Sequence, residues 1–266
     1  MGLCVLLSAM HQSDTSLLRE LNIGCDAVLI NQCDTQGETL TEEGARRLLF
    51  LSTTDRGLSK SRNLAVKKAS EEAFDRDDIC IFCDNDCVYE DDSPKRILEA
   101  FDRNPDADII VFFISRPERR SPVMKSEGPM GRMASFKIFS PEIAFRKKSI
   151  LENALAMDER FGAGGTYGMG EENIFLFDAI AKGLKIVYCP QKIATLSQTE
   201  STWFKGYSDR YFVDRGAGYQ RMSPALSVFF ILQFAVRKYG LYKNDNGFFR
   251  ALKMMFKGRN EILRNR

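Results

Sequence analysis

Over the first half of the chain, short β-rich apolar runs alternate with helical patterns, which predicts a sheet of mostly parallel strands connected by helices. Leu3 to Ala9 (LCVLLSA), Ala27 to Asn31 (AVLIN), Leu48 to Thr53 (LLFLST), Ile79 to Cys83 (ICIFC) and Asp108 to Phe113 (DIIVFF) read as strands. Between them, Ser13 or Asp14 caps a short helix through Leu21. A long helix runs from Ser59 to about Phe74, with Leu64, Ala65, Ala69 and Ala73 inward and Lys67, Lys68, Glu71 and Glu72 outward. Another begins near Ser93-Pro94, where proline suits a first turn.

The second half is less regular. Arg116 to Gly131, rich in proline, serine, glycine and charge, reads as a loop. Ala134 to Ser140 reads as a strand and Phe145 to Ala156 as a helix. The glycine-rich stretch Arg160 to Gly170 leads into a helix that ends at Gly183, a natural C′ residue. Leu184 to Tyr188 reads as a strand ended by Pro190, and helices and loops follow. The longest apolar run, Ala225 to Val236, falls short of the ~20 residues of a membrane span. The pattern divides into a mixed α/β domain over residues 1–222 and a helical, basic extension over 223–266.

Composition narrows this picture. At 266 residues, 44% hydrophobic and 28% charged, the chain has globular proportions, which exclude disorder, collagen and coiled coil. The net charge of +2 averages two unlike parts, because from Arg237 onward nine Lys/Arg face two Asp/Glu and the remainder is acidic. A basic excess confined to the end of the chain argues against a nucleic-acid binder. Phe248, Phe249, Met254, Met255 and Phe256 interleave with those cations. The tail is therefore either an amphipathic helix on an anionic membrane surface or a solvated helical cap. The opening MGLCVLLSAM has no basic n-region, and seven scattered cysteines fit a reduced, cytoplasmic interior. Cys80, Cys83 and Cys87 lack the second pair a zinc site needs and read as buried thiols. With His11 the only histidine, chemistry built on several imidazoles is excluded.

Carboxylates are the remaining catalytic currency. Cys83-Asp84-Asn85-Asp86-Cys87 sets two of them just beyond a buried strand, where open α/β sheets bind ligands, and such a turn suits a hard divalent cation. Glu171-Glu172 opens a helix, whose dipole favours ionised acids and so a usable general base. Two phosphate motifs fail. In Gly57 to Ser61 (GLSKS), serine rather than glycine precedes the lysine, and in RFGAGGTYGMG the third glycine position of a dinucleotide loop is Tyr167.

The order GLSKSRNLAVKKA, ICIFCDND, then FGAGGTYGMGEENIFLFDAIAKGLKIVYCP closely resembles the family 2 inverting glycosyltransferases of GT-A (nucleotide-diphospho-sugar transferase) fold, over roughly Leu3 to Met222. The bacterial members that build capsular and other surface polysaccharides are especially similar. The resemblance implies a Rossmann-like, mostly parallel sheet flanked by helices, a nucleotide-sugar donor (a UDP-sugar foremost), a saccharide acceptor carried on a lipid, and Mn²⁺ or Mg²⁺. It makes Asp84 and Asp86 a DxD-type motif, Asp86 for the metal and Asp84 for the ribose or the metal shell. Ser8, Ala9, His11, Asn31, Gln32, Arg62, Asn63 and Asn85 fall on the donor side. Asn31 and Gln32 are amides where the family usually carries acids that touch the base. Glu172 is implied as the base for the acceptor hydroxyl, with Glu171 supporting it. Trp203, Tyr207 and Arg210 are candidates for the acceptor site or a lid. A sugar-phosphate nucleotidyltransferase is the alternative enzyme, disfavoured because Ser8 to Thr15 holds no basic glycine-rich loop. A non-catalytic scaffold or carbohydrate-binding protein of the same fold is a further alternative.

Overall fold

The computed structural model describes residues 1–117, 119–196 and 206–264. Two compact units make up the chain. The first comprises Met1–Arg56, Lys60–Ala156 and Ala179–Thr199, the second Gly57–Ser59, Met157–Asp178 and Glu200–Arg266.

In chain order the elements of the first half are β1 (Gly2–Met10), α1 (Ser16–Glu20), β2 (Asp26–Gln32), β3 (Gly37–Glu43), β4 (Arg46–Thr53), α2 (Leu58–Lys68), β5 (Asp77–Asp84), β6 (Cys87–Tyr89) and α3 (Ser93–Arg103). There follow β7 (Ile109–Ser115), β8 (Gly128–Pro129), α4 (Arg132–Ser135), β9 (Ile143–Arg146), α5 (Lys147–Glu152), α6 (Glu171–Ala181) and β10 (Ile186–Leu196). Among the described residues four helices follow: α7 (Asp209–Met222), α8 (Ser227–Arg237), α9 (Tyr239–Tyr242) and α10 (Phe248–Arg264).

The strands among the described residues form one sheet of order β3-β4-β2-β1-β5-β9-β7-β10-β6, with β8 paired to β10. The run β4-β2-β1-β5 is parallel throughout, as is the β7–β10 pair. Buried on both faces, β1, β2 and β5 read as unbroken apolar runs. Leu7, Leu29, Ile81, Phe101 and Ile110 belong to the resulting core.

One strand was not expected from the sequence, and three local expectations are corrected. The edge strand β3, GETLTEE, is exposed along nearly its whole length, so no apolar period marks it, and its charges suit an unprotected edge. The helix expected to reach Phe74 stops at Lys68, and a 3-10 turn follows. Ser70 donates to the Val66 carbonyl (2.7 Å), and the Lys147 ammonium donates to Ala69 O (3.0 Å) and Phe74 O (2.8 Å), which satisfies carbonyls a longer helix would use. The strand expected over 134–140 is α4 and a 3-10 turn, and the strand is β9. The cause is Glu142, fully buried and paired with Arg119, whose carboxylate accepts from the N–H groups of Phe139 (3.2 Å) and Ile114 (3.3 Å) and pins the turn. Finally, β10 continues through Pro190 to Leu196, because its register against β7 shifts between Tyr188 and Ala194 and the irregularity absorbs the proline.

The second unit rests on one close helix crossing. A Cβ placed on Gly216 of α7 would lie 1.9 Å from the Met255 carbonyl oxygen, and one on Gly258 of α10 would lie 1.9 Å from that of Val213. Only glycine lets these backbones meet. Around the crossing, Phe161, Tyr167, Ile174, Val213, Ala217 and Ile262 form a small apolar core. A second group of rings, Phe212 of α7, Phe234 of α8 and Tyr242 of α9, packs with centroids 5.1 to 6.5 Å apart.

Candidate active site

In the first unit the C-terminal ends of β2, β1 and β5 lie side by side. Register pairs Ser8 with Asp84 and Ala9 with Asn31, so the donor-side candidates converge at one edge of the sheet. Helix α2 packs over this edge through two polar contacts. The Ser61 hydroxyl bonds that of Ser8 (2.8 Å), and the Arg62 guanidinium donates to Asp84 Oδ1 (2.7 Å) above the Phe82 ring. Arg62 is 1% exposed, the most deeply buried arginine of the core, and Asp84 sits at the sheet edge 30% exposed. Asn63 lies half-buried on the same helix.

Beyond Asp84 the chain turns through exposed Asn85 and half-buried Asp86 into β6. Burial, and then the adjacent charge of Asp84, push the Asp86 carboxyl above the usual carboxylate range. A carboxyl raised by burial beside a second acid matches a hard divalent cation. The described residues hold no cluster of three or more metal-ligating acids, cysteines or histidines. The donor set therefore fits a cation that takes its other ligands from diphosphate and water, as Mg²⁺ commonly does.

Asn31 is buried and committed. Its Oδ1 accepts from the Gln12 N–H (2.8 Å), and its Nδ2 donates to the Gln12 carbonyl (2.9 Å) and to Ser52 Oγ (3.1 Å). The amide thus acts as a strand partner for the loop that leaves β1. Gln32 is buried beside it, and His11 is exposed on that loop with a left-handed φ of 54°. Sequence reading missed Arg56, which gathers the same edge. Its guanidinium donates to the carbonyls of Cys33 and Thr54 (2.9 Å each) and to Asp34 Oδ1 (2.6 Å). No motif flags it.

The second unit carries the other pair. Glu171 and Glu172 occupy the first turn of α6, Glu171 buried and Glu172 half-buried. The glycine-rich segment before them is folded tightly. Tyr167 N–H donates to Arg160 O (2.7 Å), Gly165 N–H to Gly162 O (2.9 Å), and Phe161 stacks on Tyr167 at 5.0 Å. Gly162 has φ +97°, and a Cβ there would sit 3.0 Å from the Glu171 carboxyl carbon and 3.1 Å from Ser59 Oγ, so the position needs glycine on both counts. Ser59 in turn donates to Phe161 O (2.6 Å).

Helices α7 and α10 hold this segment. Asp214 Oδ2 accepts from the Gly168 N–H (2.9 Å), and the Tyr167 hydroxyl donates to Glu261 (3.3 Å). Arg221 grips Asp178 through two nitrogens (3.0 and 2.7 Å) and reaches Asp158 (2.8 Å). Burial alone would push the Asp158 carboxyl up, but hydrogen bonds from Arg160 and Arg221 outweigh it and hold the group at about 2. Asp214, Arg221 and Asp158 escaped the sequence reading, since partners dozens of residues apart leave no local signal.

Of the acceptor candidates, Arg210 is largely exposed, pairs with Asp214 (2.7 Å) and lies over the Tyr167 ring at 5.8 Å. Tyr207 packs on Tyr211 at 5.1 Å and Tyr242 at 6.0 Å. Trp203 lies outside the described residues.

The sequence profile of glycosyl transferase family 2 matches residues 33–168, just over half of the chain, and ends short of Glu171. No curated protein matches the sequence. Among solved structures, S. aureus TarS 1–349 in complex with UDP-GlcNAc aligns at a TM-score of 0.64 and 14% identity, covering 100% of this chain and 89% of that one. TarS 1–349 alone gives 0.61 at 13% identity over 92% and 74% of the two chains, and its UDP complex gives 0.61 at 13% over 91% and 75%. At such identities the likeness establishes the fold, the GT-A arrangement expected from the sequence.

Proposed function

Because the chain belongs to glycosyl transferase family 2, we propose that it moves a sugar from a UDP-sugar to a lipid-linked saccharide acceptor, with inversion, in bacterial surface polysaccharide synthesis. The observation that carries this reading is the exit of β5, where Asp84, held by buried Arg62, stands two residues before an acid whose carboxyl is pushed up. The TarS complex with UDP-GlcNAc supports UDP as the nucleotide. The present chain would act at the cytoplasmic face of the inner membrane, where a lipid-linked acceptor is within reach.

Asp86, with Asp84 in its shell, would hold Mn²⁺ or Mg²⁺, which supplies charge stabilisation to the departing diphosphate. The chain's own residues do the rest. Arg62 holds the Asp84 carboxylate at the strand exit. Ser8, Ala9, Asn31 and Gln32 form the sheet edge along which the nucleoside lies, and His11, Asn63 and Asn85 border it. Glu172, in a helix first turn whose dipole favours the anion, takes the proton of the acceptor hydroxyl. The acceptor oxygen bonds to the anomeric carbon as the bond to the diphosphate oxygen breaks, and the electron pair leaves on the diphosphate. Glu171 positions that turn, and Tyr207 and Arg210 border the acceptor. The extension over 223–266 serves as a membrane-surface element.

Donor turnover measured across UDP-, GDP- and dTDP-sugars with Mn²⁺ or Mg²⁺ tests the reading. Glu172→Gln is expected to lower transfer by roughly 10²–10⁴-fold while donor binding persists, and Asp86→Ala to abolish the metal requirement together with turnover. Absence of turnover and binding for every donor would overturn the activity, and full transfer by Glu172→Gln would overturn the base.

A further inference from the structure

The amphipathic character that the sequence attaches to the final helix is mostly spent inside the protein. Ala251, Met255, Gly258 and Ile262 of α10 are buried against the second unit, leaving Phe249 as its main exposed ring, 82% accessible. Unsatisfied apolar surface lies instead on α8. That helix buries Phe230, Ile231 and Ala235 and turns Val228, Phe229, Leu232 and Val236 to solvent, with Phe229 56% and Val236 67% exposed. Spacings of three, four and eight residues put these side chains on one helical face. No charged residue occurs from Met222 to Val236.

This face is displayed rigidly. The buried Ser227 hydroxyl bonds Gln220 (2.8 Å) and accepts from Arg259 of α10 (3.1 Å), and the Tyr242 hydroxyl donates to Ala235 O (2.7 Å). The apolar surface continues past the end of α8 through exposed Tyr239, 5.8 Å from the Phe248 ring, which lies 5.5 Å from Phe249. The same C-terminal helices carry exposed cations, with Lys253 and Lys257 four and eight residues after Phe249 on one face of α10. Arg237, Lys238, Lys243, Lys253, Lys257 and Arg264 are solvent-facing and form no ion pair among the described residues. The two acids of the region are occupied, Asp245 by the Tyr207 N–H and Glu261 by the Tyr167 hydroxyl.

We propose that the outward face of α8, with Tyr239 and Phe249, docks on an anionic lipid bilayer, the cations around it meeting the headgroups. Apolar side chains with unpaired lysines and arginines are the composition of an interfacial helix, and no helix among the described residues is long and apolar enough to cross a membrane. A second copy fits the surface poorly, since a two-fold contact would bring the same cations together. The docking deepens the membrane-side reading above, but its test does not depend on donor chemistry.

The full chain is sedimented with vesicles of phosphatidylcholine and of phosphatidylcholine mixed equally with phosphatidylglycerol, at low and high salt, and its mass in solution is measured by light scattering. The wild type is expected to bind the mixed vesicles, less so at high salt. Phe229→Asp with Leu232→Asp should weaken that binding by about tenfold or more. Lys253→Glu with Lys257→Glu should remove the preference for phosphatidylglycerol. All four positions are exposed, so unchanged thermal unfolding separates lost docking from lost folding. Three results overturn the proposal: no vesicle binding by the wild type, equal binding to both vesicles, or undiminished binding by the Phe229/Leu232 variant. An oligomer that this variant dissociates, without vesicle binding by the wild type, would make the face a contact between copies and overturn it as well.

Discussion

The two units present acidic pairs by opposite means. In the first, Asp84 and Asp86 hang from the end of a buried parallel strand, and their geometry follows from sheet register and one buried arginine. In the second, Glu171 and Glu172 sit at the end of a glycine-rich segment whose shape is imposed by helices that come later in the chain. A strand end is precise because ladder hydrogen bonds on both sides fix it. A glycine-rich segment has no ladder, so side-chain clamps such as Asp214 and Arg221 must do that work. The comparison teaches that the helices after residue 206 take part in shaping the segment that carries the proposed base.

Substitutions can break this contrast. The largest effect is expected from Arg62→Ala, which leaves Asp84 without its guanidinium. Stability should fall by about 3 kcal/mol in denaturant unfolding, from the lost packing of a buried side chain and its ion pair, and nucleotide affinity by calorimetry should fall with it. Unchanged affinity would show that the strand end alone positions the donor side.

Next comes Gly258→Ala. A Cβ 1.9 Å from a backbone oxygen forces α7 and α10 apart, at about 2–3 kcal/mol net of the gain in helix propensity. Transfer should drop while nucleotide affinity, measured below the lowered Tm, holds. Affinity falling in step with Tm would erase the distinction between the units.

The smallest effect is acid-dependent. Asp158 is held at about 2 against an ordinary 3.8. A depressed carboxyl contributes stability above its unfolded value, here about 2 kcal/mol, and loses it as pH falls from about 4 through about 2. Asp158→Asn should therefore be less stable at neutral pH and flatten the acid limb of the unfolding profile over that window. An unchanged limb would mean that Arg221 holds α7 through Asp178 alone.

Much of the first unit was legible in sequence. Buried parallel strands advertise themselves as apolar runs, so β1, β2, β4, β5 and β7 were located within a residue or two, and acids just past Cys83 stood out because nothing apolar follows a strand end without cause. Elements fixed by remote polar contacts were not. Glu142 turns a strand-like run into a 3-10 turn from within the core, and Lys147 ends α2 from far along the chain. Periodicity registers burial, and neither event changes it locally. The same reasoning explains why Glu171 and Glu172 were visible while Asp214 was not: helix-start chemistry is a matter of adjacent residues, whereas a clamp across 46 positions is a tertiary fact. The apolar face of α8 was visible as composition, but its division into a packed side and an exposed side required the fold.

The amide of Asn31 binds both polar groups of the Gln12 backbone, and this ties the course of the loop after β1 to the chemistry of a single side chain. An aspartate there would keep the bond from the Gln12 N–H and set a lone pair against the Gln12 carbonyl, where Nδ2 now donates at 2.9 Å. One atom of one amide therefore decides whether the strand holds that loop from both sides or from one.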